Sequence, residues 1–171
     1  MSVLNHVSEN ISAIHYRNNG SVQASGFYNH SEGDAEPIKE GSWGYFDENS
    51  LQRRQETYSD GVLDGDFWVV DNRGRKVEEG SYVKGTKNGA WSDYYENGKL
   101  RQRVNYSNDE LEGEFESYHL NSNIRIQGQY LEGHVDGSWK TYLEDGSMEM
   151  IIKYSFGKKV KEIRIQSSHS D

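Results

Sequence analysis

Five glycines, Gly41, Gly65, Gly89, Gly113 and Gly137, stand 24 residues apart, and four further columns keep the same period. Two residues after each glycine comes a large aromatic: Trp43, Phe67, Trp91, Phe115, Trp139. Five after it stand Phe46, Val70, Tyr94, Tyr118 and Tyr142; seventeen after it stand Tyr58, Tyr82, Tyr106, Tyr130 and Tyr154. Twenty after it stand Gly61, Gly85, Asp109, Gly133 and Gly157. A repeat held in register over five units restricts the chain to an array in which each unit packs mainly on its neighbours.

The unit is too short for much more than two strands. Its turn column, eight and nine residues after the glycine, reads Asn49-Ser50, Arg73-Gly74, Asn97-Gly98, Asn121-Ser122 and Asp145-Gly146. Asn-Gly and Asp-Gly favour a two-residue type I′ hairpin, which needs positive φ at both central residues. The expected fold is therefore all-β: an elongated, twisted, single-layer antiparallel sheet of consecutive β-hairpins. Full repeats start at 41, 65, 89, 113 and 137. A partial repeat occupies 11–31, a cap strand occupies 158–166, and the whole of 1–171 forms one domain.

A two-residue turn at Asn97-Gly98 would set Tyr94 opposite Arg101, Trp91 opposite Val104 and Gly89 opposite Tyr106. Alternation then collects Gly89, Trp91, Leu100, Val104 and Tyr106 on an apolar face. There the tyrosine ring would lie across bare glycine backbone. The other face would pair Phe46 with Arg53, Tyr94 with Arg101 and Tyr118 with Arg125, each a cation over a ring, while Val70 pairs with Val77. The last unit, with Tyr142 opposite Glu149, breaks that rule.

The phrase from Gly89 to Leu100, G-x-W-x-x-Y-Y-x-N-G-x-L, resembles the MORN repeat in its bacterial variant form. The resemblance runs from Tyr16 to Gly157, with departures at Asp109 and Ser122 where glycine is expected. It implies a meander of hairpins. Bacterial proteins of this look are often labelled antitoxins or immunity proteins; other MORN arrays are scaffolds or associate with membrane lipid.

The 171 residues include no cysteine and carry a net charge of −9, with 12 Tyr and 4 Trp among only 33% hydrophobic residues. Disulfides and thiolate metal sites are excluded. The acidic balance speaks against nucleic acid or anionic lipid as partner. The first twenty residues lack a basic start followed by an apolar run, so a cytoplasmic location is expected. His6, His15, His30, His119, His134 and His169 share no metal-binding spacing. Carboxylate pairs such as Asp47-Glu48 and Glu144-Asp145 belong to turns. No enzyme, cofactor or metal is expected.

A repeat surface varies freely where the stack does not constrain it, so residues that break their column carry the information. Trp68 stands in a column otherwise filled by Gly44, Ser92, Glu116 and Lys140. Two readings are open: it packs on Val70 and Val77, or it anchors a partner, as interface tryptophans do. Tyr45, Tyr95 and His119 are further candidates on the same reasoning. Asp47, Glu48, Asp71, Glu96, Glu144 and Asp145 form an acidic turn edge, and more acids line the opposite edge. They either solvate and protect the rim or attract a basic protein. The expectation is a protein-binding module, monomeric or homodimeric. Its partner would be a cognate toxin, basic where the acidic rim draws it, and the alternative is a scaffold or membrane-peripheral protein.

Overall fold

A computed structural model describes residues 10–29 and 36–165. Residues 30–31 of the expected partial repeat and residue 166 of the expected cap strand lie outside the described residues, as do His6, His30 and His169. The described chain is all β, with fourteen antiparallel strands in one open sheet. The strands are β1 (Asn10–Tyr16), β2 (Val22–Asn29), β3 (Ile38–Phe46), β4 (Gln52–Ser59), the short β5 (Val62–Leu63), β6 (Gly65–Val70) and β7 (Lys76–Val83). They continue as β8 (Thr86–Tyr94), β9 (Leu100–Ser107), β10 (Glu110–Tyr118), β11 (Ile124–Leu131), β12 (His134–Tyr142), β13 (Met148–Ser155) and β14 (Lys158–Arg164). Every strand pairs with its neighbours in the chain, apart from β5, which pairs β4 beside the main path.

The register agrees with expectation in the body of the hairpin and departs from it near the turn. Gly89 faces Tyr106 and Trp91 faces Val104, but the register slips by one residue between Asp93 and Tyr94. Leu100, not Arg101, therefore stands opposite Tyr94; likewise Gln52 faces Phe46, Lys76 faces Val70, Ile124 faces Tyr118 and Met148 faces Tyr142. The cause is the turn. Gly98 N–H donates to Tyr95 C=O at 2.8 Å, and Tyr95 N–H donates to Lys99 C=O at 2.8 Å. Only Gly98 takes positive φ, at 82°; Asn97 does not. This is the three-residue hairpin loop in which a turn ends in a left-handed residue and a bulge. Its counterparts Ser50 and Ser122 also adopt positive φ, at 59° and 74°, which explains why glycine is dispensable there.

The two-residue turn with positive φ at both positions exists, but at the opposite edge, between units. It is formed by Asp60-Gly61, Lys84-Gly85, Asn108-Asp109, Glu132-Gly133 and Phe156-Gly157, with first-residue φ of 44–50°. Each second residue donates its N–H to a carbonyl of the preceding unit: Gly61 to Lys39, Gly85 to Leu63, Asp109 to Lys87, Gly133 to Leu111 and Gly157 to Val135, at 2.7–3.0 Å. In three units a carboxylate accepts the first residue's N–H: Glu40 from Asp60, Glu112 from Glu132 and Asp136 from Phe156, at 2.8–2.9 Å. Acids of the loop edge thus hold turns together.

The unit glycine has a third role. In four of the pairings the unit's first strand carries two extra residues against its predecessor, as between Leu111 and Phe115 opposite Tyr106 and Val104. Gly89, at φ 73°, opens the equivalent bulge between Asn88 and Ser92, and a Cβ placed on it would meet nothing within 4 Å. Backbone conformation, not a covering tyrosine ring, demands glycine here.

Bare backbone is used elsewhere. Trp43, Trp91 and Trp139 lie on Gly26, Gly80 and Gly128 of the preceding hairpin, where a Cβ would come within 2.5, 2.3 and 2.4 Å of the indole. Each indole N–H then donates to the carbonyl one residue beyond: Phe27, Ser81 and Gln129, at 3.0, 3.2 and 3.1 Å. The three tryptophans are set alike, and Trp43 and Trp91 are among the most deeply buried side chains described. In the units between them the covering ring is a phenylalanine and the covered position is Glu56 or Val104. The packing unit is consequently a pair of hairpins, 24 + 24 = 48 residues long. Phe67 stacks on Trp91 with ring centres 5.4 Å apart, and Phe115 on Trp139 at 5.2 Å, each pair edged by tyrosines. Such contacts contribute roughly 0.5–1.5 kcal/mol per pair beyond the area they bury.

Gly80→Ala is expected to destabilise the protein by about 1–3 kcal/mol through overpacking. In that background Trp91→Phe should recover part of the loss, because Phe already tolerates Val104 or Glu56 beneath it. Urea denaturation of the two single variants and the double variant checks this; strictly additive effects would contradict the Trp–Gly pairing.

Candidate binding surface

The sheet has two unlike faces. One bears Trp43, Trp91 and Trp139 with the tyrosines that edge them, such as Tyr82 and Tyr130. The other bears Trp68, whose strand neighbours are Gln55 and Glu79. Trp68 is half-buried and lies on the same face as Val70, as alternation requires. It borders a shallow depression of about 480 Å³ lined also by Asp66, Lys76, Glu79, Ser92 and Arg103. Two similar depressions sit on this face, one around Gly26 and one around Gly128, of about 360 and 270 Å³. All three include a glycine whose far side is covered by tryptophan, so the surface relief follows the two-hairpin packing unit.

The polar groups on the Trp68 face are tied in pairs. Lys76 and Tyr94 both donate to Glu79. Burial and that bond push the Tyr94 hydroxyl up to about 12. Tyr118 donates to Glu116 at 2.5 Å, with Arg103 3.4 Å from the same carboxylate. These tyrosines do not carry the expected arginines over their rings. Cations lie over rings on the opposite face instead: Lys87 is 3.7 Å from the Trp91 ring centre, and Arg54 is 4.4 Å from that of Tyr45. The one-residue slip at each turn removes Arg53, Arg101 and Arg125 from the places opposite Phe46, Tyr94 and Tyr118.

Tyr45 therefore belongs to the aromatic face, not beside Trp68. Its hydroxyl accepts from Lys39 Nζ at 2.7 Å and lies 3.3 Å from the Tyr58 hydroxyl, which donates to buried Glu56 at 2.6 Å. Desolvation, reinforced by Glu56 and Tyr45, drives the Tyr58 pKa strongly upward. The cluster fills the place where a glycine would sit in the alternate units, and its polar atoms satisfy one another.

Tyr95 and His119 are joints of the array. Tyr95 Oη donates to the Tyr118 carbonyl at 2.6 Å, and His119 Nε2 lies 2.8 Å from the Tyr142 carbonyl, in each case one hairpin further on. Arg17 and Arg53 make the corresponding link near the start, Arg17 to Asp47 C=O at 3.0 Å and Arg53 to Asp71 C=O at 2.6 Å. Nothing in a sequence column shows a bond to the next unit, so these positions read as surface variation.

The acidic turn edge divides likewise. Asp47 accepts N–H groups of Asn49 and Leu51 at 2.9 and 3.0 Å and pairs with Arg53. Asp71 does the same for Arg73 and Arg75, and the Arg75 guanidinium holds its pKa down at about 2. Asp145 accepts from Ser147 N–H and Oγ at 2.8 and 2.6 Å, which also lowers its pKa. Glu48, Glu96 and Glu144 are different: they are exposed and, among the described residues, form no ion pair. They stand on every second turn, roughly 19 Å apart for four strands at the usual inter-strand spacing. The ten candidate positions thus separate into Trp68 on one face, Tyr45 on the other, five joints or turn-formers and a row of three solvated carboxylates.

Two measurements check these assignments. His119→Ala should cost about 1 kcal/mol for the lost bond and speed amide exchange in the 119–123 turn. Asp71, depressed in the folded state, should titrate near pH 2, its stabilising effect present above about pH 4 and disappearing as the pH falls through 2. Arg75→Ala should move that carboxyl resonance back toward the ordinary aspartate range.

Among curated proteins no match to the chain is found. Among solved structures, one similar chain belongs to the GtfA/B complex bound to UDP and GlcNAc, at 13% identity and a TM-score of 0.29. The likeness covers 67% of this chain but only 22% of that one, and it bears on neither fold nor function. Two adjacent units, residues 87–108 and 111–132, match the family model described as the MORN repeat variant, and that is the repeat to which this array is similar.

Proposed function

We propose that the protein is a non-enzymatic binding module that covers the active surface of a cognate toxin, as an immunity protein or antitoxin does. Trp68 carries the reading. It is a large aromatic in a column of small and polar residues, beside a depression ringed by Lys76, Glu79 and Arg103. Aromatic anchors of this kind dominate interface energetics. The sheet behind it is held by packing between hairpins, so the anchor is displayed on a frame that need not rearrange on binding.

The acidic edge supplies the second element. Glu48, Glu96 and Glu144 are exposed in a regular row. Such a row speeds encounter with a basic partner and fixes its orientation. Asp47 and Asp71 are neutralised by Arg53 and Arg75 and add little to that field.

The test is to mix the protein with the product of the adjacent gene and to measure both complex formation and relief of toxicity. Trp68→Ala should weaken the complex by about 2 kcal/mol or more without altering the denaturation midpoint appreciably. Replacing the three glutamates with glutamine should slow association mainly at low salt. Absence of a complex, or a complex indifferent to Trp68, would refute the reading.

A further inference from the structure

The two ends of the sheet differ in charge. β1 contains no Lys, Arg, Asp or Glu. β14 reads Lys158-Lys159-Val160-Lys161-Glu162-Ile163-Arg164, and Lys153 stands beside it on β13. From 153 to 164 there are five cations and one carboxylate, in a protein whose net charge is −9. Lys159 and Arg164 pair with Glu162. Lys153 and Lys161, by contrast, are direct cross-strand partners. Like charges opposite one another destabilise a sheet, and among the described residues no carboxylate pairs with either.

β14 is also the last strand of the sheet, so its outer row of backbone donors and acceptors meets no other described strand. Its side chains are almost all exposed, Val160 at 67%. Ile163 stands opposite Ile151, on the same face that bears Lys153 and Lys161. The edge therefore offers a hydrogen-bonding ladder, one apolar place and a pair of uncompensated ammonium groups two residues away.

We propose that β14 is a docking edge for an extended acidic segment of a partner protein, which adds to the sheet as a further antiparallel strand. Main-chain ladder bonds supply affinity and alternate side chains supply selection, as in other strand additions. The incoming strand runs antiparallel, so it places an apolar residue opposite Ile163 and, two residues later, an Asp or Glu opposite Lys161. That carboxylate lies on the face where Lys153 and Lys161 repel each other. A second copy of this chain is a poor occupant. The only acid of β14 is Glu162, already held by Lys159 and Arg164, and β1 carries none, so a second copy has no free carboxylate to set opposite Lys161. The edge shares a face with Trp68 but lies eight strands along the sheet from it, and its acidic preference does not depend on the partner proposed for Trp68.

The probe is a fluorescent twelve-residue peptide of three Val-Thr-Glu-Thr repeats, which sets valine and glutamate two residues apart on one face. Its binding should protect the Lys158–Arg164 amides from hydrogen exchange and should be unchanged by Trp68→Ala. The double variant Lys153→Glu, Lys161→Glu should lose about tenfold in affinity, because the carboxylate opposite position 161 then meets a like charge instead of an opposite one. The same variant should gain binding of the counterpart with lysine in place of each glutamate, which shows in one step that it is folded and that charge selects the strand. A peptide with proline at alternate positions cannot form the ladder and should not bind. Equal binding of that proline peptide, absence of protection in β14, or equal competition by duplex DNA or phosphatidylserine vesicles would each overturn the proposal and leave the lysines as guards of an exposed edge.

Discussion

The contact between an indole and a bare glycine of the preceding hairpin is the interaction on which the array depends. A single-layer sheet has no second layer to press against, and an isolated hairpin is marginal in water. Its apolar area must be buried laterally, between neighbouring hairpins. Trp91 achieves this by lying on Gly80 and donating to Ser81 C=O, while Phe67 stacks on its other side. Remove the space above Gly80 and the ring has nowhere to go at that strand spacing.

Two lines of stitches hold the edges in step with this packing. On one edge the inter-unit turns reach back to carbonyls such as Lys87 and Leu111. On the other, side chains as different as Arg17, Arg53, Tyr95 and His119 reach forward to a carbonyl of the next turn. The chemistry of the donor changes from unit to unit while the acceptor stays a main-chain oxygen. Arg17, Tyr95 and His119 share one place in the turn while Arg53 reaches across from the return strand, so the link survives changes of both residue type and position.

Much of this was legible in the sequence. The period, the strand order and the shared direction of Trp43, Trp91 and Trp139 follow from column spacing alone, because each column is a fixed place on a repeating backbone. Turn chemistry was less legible: Asn97-Gly98 suits a type I′ pair and equally a loop with only the glycine left-handed. The true two-residue turns hide behind Lys84-Gly85 and Phe156-Gly157, whose first residues are poor turn signals. One bulge residue then carried every arginine expected over a ring into the wrong place. The Trp–Gly coupling did leave a signal, since Gly26, Gly80 and Gly128 alternate with Glu56, Val104 and Ile152 in step with Trp and Phe. It is visible only when two columns are compared across neighbouring units. The roles of Tyr95 and His119 left none, because their partners are backbone atoms. At the Trp68 face, alternation placed the side chain correctly, and the depression beside it is a property of the bent backbone that no column records.

The alternation of indole-on-glycine with phenyl-on-side-chain also sets the increment by which such an array can lengthen or shorten. Excision of residues 65–88 would bring Trp91 down on Glu56, two bulky groups competing for one space. Excision of 65–112 would set Phe115 above Glu56, the arrangement Phe67 already has. Tandem duplication and deletion in this lineage should therefore leave survivors in steps of two hairpins, so that the inherited module is twice as long as the unit the eye first picks out.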